Sequence, residues 1–140
     1  MSDRFFLDSN VFIYSFDDRS PAKAQRALGL IREAHQSRKG VISFQVVQEF
    51  FNFALRRAAP PMSTADASAY LKSIFQPLPI VHSSHRLYTE ALHMHERYRL
   101  SWYDALIVAA AMEAGCSVLY SEDLQHGQKF GATAVKNPFR

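Results

Sequence analysis

The sequence predicts an α/β fold in which a central parallel sheet of four to five short strands is covered by helices on both faces. Two observations carry that expectation. Short apolar runs without polar alternation recur along the chain: Phe5-Phe6-Leu7, Val41-Ile42, Ile80-Val81 and Ser117-Val118-Leu119-Tyr120. Such runs are the mark of strands buried on both faces. Between them lie longer segments with helical spacing and helix start signals, and strands alternating with helices favour a parallel sheet. A third observation fixes the centre: Ala105 to Met112 is apolar at every step. A helix with no polar face, too short to span a membrane, belongs inside a domain.

Phe5-Phe6-Leu7 ends at Asp8-Ser9-Asn10, and Val11 to Tyr14 resumes as one or two helical turns. Ser20-Pro21 pairs a capping residue with proline at the first helical position. The helix behind it carries Ala24, Ala27, Leu28, Ile31 and Ala34 on one stripe, and Lys39-Gly40 closes the region. After the second strand, Ser43 can cap a helix from about Phe44 to Arg57. At 100° per residue its core stripe reads Phe44, Val47, Phe51, Ala54 and Leu55, with Val46 and Phe53 on the opposite side near Glu49. Pro60-Pro61 breaks the chain. Ser63 to Asp66 forms a capping box opening a helix through Phe75, and Ser84 can cap another carrying Leu87, Ala91, Met94 and Tyr98. Ser101 and Asp104 form a third capping box before the buried helix, and Gly115 suits a left-handed cap at its end. Thr133-Ala134-Val135 is a possible fifth strand.

At 140 residues the chain reads as one domain, residues 1–140. Its single cysteine, Cys116, excludes an intrachain disulfide and a cysteine pair for zinc, so a reducing compartment is expected. Asp8 and Asn10 interrupt the N-terminal apolar run, which therefore does not read as a signal peptide. No stretch reaches the roughly 20 apolar residues of a membrane helix. A soluble, cytoplasmic protein without a membrane partner is the expectation. The formal charge is +3. If four of the 13 acids gather in one pocket, the remaining nine face 16 bases, 11 of them arginine. Arginine reads phosphate well, which makes a polyanionic partner reasonable.

In open parallel sheets, ligands bind beyond the carboxyl ends of the strands. Asp8 ends the first strand and Asp123 follows the fourth; nothing in the spacing alone sends Glu49 or Asp104 to that edge. For Asp104, a mere helix cap is the simpler reading. The sequence offers no Gly-x-Ser-x-Gly turn, no cysteine with an evident base and no Gly-rich phosphate loop. His93 and His95 diverge around a helix, and His82 and His85 read as solvated loop residues.

Phe5 to Asn10, the helical Glu49, Trp102 to Ile107 and Ser121 to Leu124, in this order, resemble the motifs of PIN-domain ribonucleases. The chain is similar to the VapC toxins of toxin–antitoxin pairs from about Phe5 to Val135. The resemblance implies a three-layer PIN-like fold and a Mg²⁺- or Mn²⁺-dependent endoribonuclease, often dimeric and neutralised by a cognate antitoxin. By motif position it makes Asp8, Glu49, Asp104 and Asp123 the catalytic, metal-holding acids. Asn10 and Ser121 would support them; Glu122 is an extra acid beside Asp123, and His126 receives no catalytic role.

Basic pairs that could grip RNA phosphates are Arg56 with Arg57, and Arg97 with Arg99; ordinary solvated helix ends account for each pair equally well. Val46, Phe50 and Phe53 form a second apolar face, a candidate contact for a dimer partner or an antitoxin segment. Two alternatives stay open. One is a catalytically silent PIN-fold binding module. The other is a Mg²⁺-dependent phosphoacceptor regulatory domain, which would want two adjacent acids after strand one.

Overall fold

The structure, a computed structural model, describes residues 2–140. Six strands form one sheet: β1 (Phe5–Leu7), β2 (Gly40–Ser43), β3 (Ile80–Val81), β4 (Val118–Tyr120), β5 (Lys129–Phe130) and β6 (Thr133–Lys136). Their order is β3-β2-β1-β4-β6-β5, parallel except for the antiparallel β5–β6 pair. The central parallel sheet is the expected one, and a two-residue edge strand, β5, adds one more than the four to five expected. The two-residue β5 carries an exposed lysine beside a buried phenylalanine, too short a run to show a period.

The helices are α1 (Ser9–Tyr14), α2 (Pro21–Ser37), α3 (Phe44–Arg56), α4 (Thr64–Tyr70), α5 (His85–Tyr98) and α6 (Trp102–Glu113), with a π-helical turn, Leu71–Phe75, continuing α4. β1, β2 and β3 step outward in one direction; the chain then crosses back to lay β4 on the other side of β1. Right-handed crossovers put α1 to α4 on one face and the packed pair α5–α6 on the other, which gives three layers. Strand order therefore reverses between β1 and β4. Such a switch point opens a crevice at the carboxyl ends of its two strands.

Local signals explain most boundaries. The Ser63, Ser84 and Ser101 hydroxyls accept from the backbone N–H groups of Asp66, Leu87 and Asp104, satisfying otherwise orphaned first-turn donors. Gly115, at φ 70°, takes the left-handed position beyond α6. Gly40 is required by contact: a Cβ there would overlap Ala34 of α2, so β2 and α2 approach as closely as they do only without a side chain. Ser20 and Ser43 precede helices but make no side-chain cap bond.

Two apolar stripes differ from the sequence reading. In α2 the buried residues are Ala27, Leu30, Ile31 and Ala34, while Leu28 is exposed. In α3 the inward line is Val46, Phe50 and Ala54, about a quarter turn from the expected one, and Leu55 faces solvent. Phe50 is the hub of an aromatic cluster. It stacks on Tyr70 at 4.5 Å and meets Phe51 and Phe75 edge to face at 5.4 Å. Val46 and Phe50 are both 0% exposed, so neither is available to a partner, and that part of the expected second face is corrected. Apolar residues on nearly every side of α3 leave its rotation undetermined by pattern alone. The turn is set by polar residues on the same helix, Gln45 and Glu49.

Candidate active site

The crevice at the switch point is built on Asp8. It is the residue after β1 and the N-cap of α1, and only 3% of it is exposed. The sheet itself fixes its backbone, since the Asp8 N–H donates to the carbonyl of Tyr120 at the end of β4. Its carboxylate accepts from the Ser9 N–H and from the Ser121 hydroxyl, each at 2.7 Å. The Ser121 oxygen in turn accepts from the Asp123 N–H at 3.1 Å. One buried hydroxyl thus ties the ends of β1 and β4 together and sets the turn that carries Asp123.

Ser9 supplies the link to α3. Its hydroxyl lies 3.0 Å from Glu49 Oε1 and 3.5 Å from Asp8 Oδ1. A serine has one proton to donate, so the shorter bond, to Glu49, is the real one. Glu49 also accepts from the Gln45 amide nitrogen at 3.4 Å, and the same nitrogen donates to the Tyr103 carbonyl at 3.1 Å. Gln45 therefore joins α3 to the first turn of α6, where Ser101 caps the helix and sets Asp104 half-buried. Asn10 donates from its amide nitrogen to Asp123 Oδ2 at 3.4 Å.

Asp8, Glu49 and Asp123 come from three separate segments and share a network of serine and amide donors. Asp104 lies close enough for the Asp123 charge to act on it. Ser9 and Gln45 were not singled out from sequence. Gln45 had a usable signal, because it stands four residues before Glu49 on the same helix face; Ser9 had only its place beside Asp8. Glu122 bonds to none of the four acids; it pairs with Lys23 at 3.7 Å. His126 accepts from the Asn137 N–H and holds the C-terminal tail.

Burial and like charge govern protonation. Burial pushes the Asp8 carboxyl up to about 7, against the two hydroxyl and amide donors that favour its anion, with the charges of Asp123 and Glu49 adding to the rise. Asp104 is raised as well, by burial first and by Asp123 after it. Among the described residues no three acid, histidine or cysteine side chains stand close enough to enclose a cation in this arrangement. At an effective dielectric of about 20, carboxylates without a counter-charge repel by about 4 kcal/mol per pair at 4 Å, so gathering all four closely needs a proton or a cation. The donor set fits a hard divalent ion: it is all oxygen, and buried Asn10 Oδ1 has no partner. Cys116 is no rival nucleophile, since it is buried and its thiol is pushed up to about 12.

The expected phosphate-gripping arginines are less integrated. Arg56 and Arg57 are exposed beside Asn52 at the end of α3. Arg97 lies over the Tyr98 ring and Arg99 forms the left-handed cap of α5. None of the four forms an ion pair among the described residues. Phe53 is half-buried and lines an open cavity of about 430 Å³ with Ile13, Tyr14, Phe16 and Arg57.

A three-layer α/β domain with acids set around its switch point belongs to the class of doubly covered parallel-sheet proteins whose ligand site lies at that reversal. The PIN domain family model matches residues 5–129, and the chain belongs to that family. Similar solved structures include a toxin–antitoxin complex from Klebsiella pneumoniae, at 17% identity and TM-score 0.67, covering 95% of this chain and 96% of that one. DNA-bound VapBC from Salmonella typhimurium has 16% identity and TM-score 0.67, with coverage of 96% and 97%. VapC20 of Mycobacterium tuberculosis, described as a sarcin–ricin-loop-cleaving toxin, has 17% identity and TM-score 0.61, with coverage of 84% and 88%. No curated protein sequence matches the chain. No helix is long and apolar enough to cross a membrane among the described residues.

The raised Asp8 carboxyl has a consequence for stability. A carboxyl whose folded pKa exceeds its unfolded value of 3.8 favours the fold when protonated, and that contribution is lost as pH rises toward about 7. In EDTA the protein is expected to melt at higher temperature at pH 5 than at pH 8. The full shift corresponds to about 4 kcal/mol, and Asp8→Asn should flatten the profile. Thermal melts across that range check this; a wild-type profile that rises toward pH 8 would contradict it.

Proposed function

We propose that this chain is a Mg²⁺- or Mn²⁺-dependent endoribonuclease acting as the toxin of a toxin–antitoxin pair. The observation that carries the reading is the hydrogen-bonded convergence of Asp8, Glu49 and Asp123 at the reversal of strand order, with α6 bringing Asp104 beside them. Family membership supports it. The toxin–antitoxin complexes and the sarcin–ricin-loop-cleaving toxin among proteins of similar fold point the same way.

Asp8, Glu49, Asp104 and Asp123 would hold the metal, with Asn10 Oδ1 as a neutral oxygen in reserve. A divalent ion held there would supply the means to lower the pKa of a water and to offset charge on the phosphodiester. The protein's own share is preorganisation. Ser121 and the Ser9 N–H hold both Asp8 oxygens in place, and Gln45 holds Glu49 against α6. Asn10 orients Asp123. Burial keeps bulk water from Asp8, which strengthens its pull on a cation.

Structured RNA incubated with the purified chain and Mg²⁺ or Mn²⁺ should be cut internally, and EDTA should stop the cutting. Asp8→Asn should lower the rate by more than about a hundredfold, beyond the loss usual for a group that merely orients a ligand. Gel analysis of the products checks both. Cleavage that persists in EDTA, or an Asp8→Asn variant as active as the wild type, would contradict the reading.

The cognate antitoxin, or a second copy of the chain in a homodimer, would meet the side that holds Phe53. The open cavity there combines aromatic walls with charges of both signs, Asp17 and Asp18 beside Arg19 and Arg57, suiting an apolar segment flanked by polar residues. Phe53→Ser should weaken antitoxin capture by at least about 2 kcal/mol and leave cleavage by the isolated chain intact. Titration calorimetry measures the first and the cleavage assay the second; unchanged capture would remove Phe53 from the interface.

A further inference from the structure

The best-mounted cation near the acids is a lysine. Lys23 lies in the first turn of α2, where a positive charge opposes the helix dipole and no acid of that turn offsets it. Three parts of the chain nevertheless hold it. Its ammonium is 3.7 Å from Glu122 Oε1, 4.7 Å from the centre of the Tyr14 ring and 6.0 Å from that of Phe139. The two rings meet edge to face at 4.8 Å. Phe139 is kept there by the tail: Arg26 Nε donates to the Pro138 carbonyl, the Phe139 N–H to Asn137 Oδ1, and the Asn137 N–H to His126 Nδ1.

Stability does not explain this mount. An ion pair of that length, with the lysine side chain 36% accessible, contributes little. What the mount achieves is position. Glu122 precedes Asp123 in the chain, so the pair ties α2 to the turn that carries Asp123. The ammonium has three donors, and a single long ion pair leaves donors for an incoming anion. The aromatic faces attract the cation without competing for its hydrogens.

Resting on the nuclease reading, we propose that Lys23 is the phosphate-binding cation of this site, gripping a backbone phosphate of the RNA strand beside the acid rim. Glu122 then serves as its tether rather than as a metal ligand. Arg56, Arg57, Arg97 and Arg99 have no comparable tie to the rim. A neutralised phosphate leaves a signature in salt dependence: each single-strand contact adds about 0.7 to the slope of log affinity against log salt.

The test is polarisation binding of a fluorescent single-stranded RNA, with Ca²⁺ in place of Mg²⁺, across a salt series. Wild type, Lys23→Gln, Lys23→Ala and Lys23→Arg are compared, with cleavage kinetics in Mg²⁺ alongside. The glutamine and alanine variants should lose about 0.7 of the slope and show a raised KM with kcat little changed. The arginine variant should recover both. An unchanged slope with wild-type RNA binding intact would overturn the proposal, as would a lowered melting temperature with cleavage untouched, which marks a purely structural lysine. A wild type that neither binds nor cuts RNA would remove the nuclease reading as well.

Discussion

The site depends on one buried bond, from the Ser121 hydroxyl to the carboxylate of Asp8. A carboxylate almost sealed from water is tolerable only with strong donors or a proton. Here it has the Ser121 hydroxyl and the Ser9 N–H, and burial still raises it far above the usual carboxylate range. That residual strain is what a cation would relieve. The same bond is structural, because it closes the gap between the two strands at which the order of the sheet reverses.

From that bond the rest of the site is reached through small polar groups rather than through direct contact between acids. Ser9 passes the connection to Glu49, Gln45 carries it to the backbone of α6, and Ser121 hands it to Asp123. Each hydroxyl or amide donor satisfies one carboxylate without adding charge, and a second bond of the same residue reaches the next segment. These links also explain the rotation of α3. Turning Gln45 and Glu49 toward β1 and α6 forces Val46 and Phe50 inward, onto the aromatic cluster with Tyr70 and Phe75.

Element type was legible in the sequence wherever the signal was local. The apolar triplet before Asp8, the serines that cap three helices and the glycine beyond α6 act within a few residues of themselves, and the fold follows them. The positions of Asp8 and Asp123 at a strand edge were legible for the same reason. What was hidden depends on contacts across the chain. The facing side of α3 could not be read from a helix apolar nearly all round. The meeting of Glu49 with Asp8 runs through Ser9, and Asp104 reaches the rim only because α6 crosses behind β1. Lys23 was hidden most completely, since its setting joins α2, the turn after β4 and the tail segment around Phe139.

The central claim is that these separated acids share one divalent ion. Its most direct measurement is an anomalous difference map from crystals grown with Mn²⁺. The account predicts a peak within about 2.2 Å of an Asp8 carboxylate oxygen, with oxygens of at least one of Glu49, Asp104 and Asp123 also coordinating it. A well-ordered crystal with that crevice empty at saturating Mn²⁺, or with the ion bound only elsewhere on the surface, would contradict it.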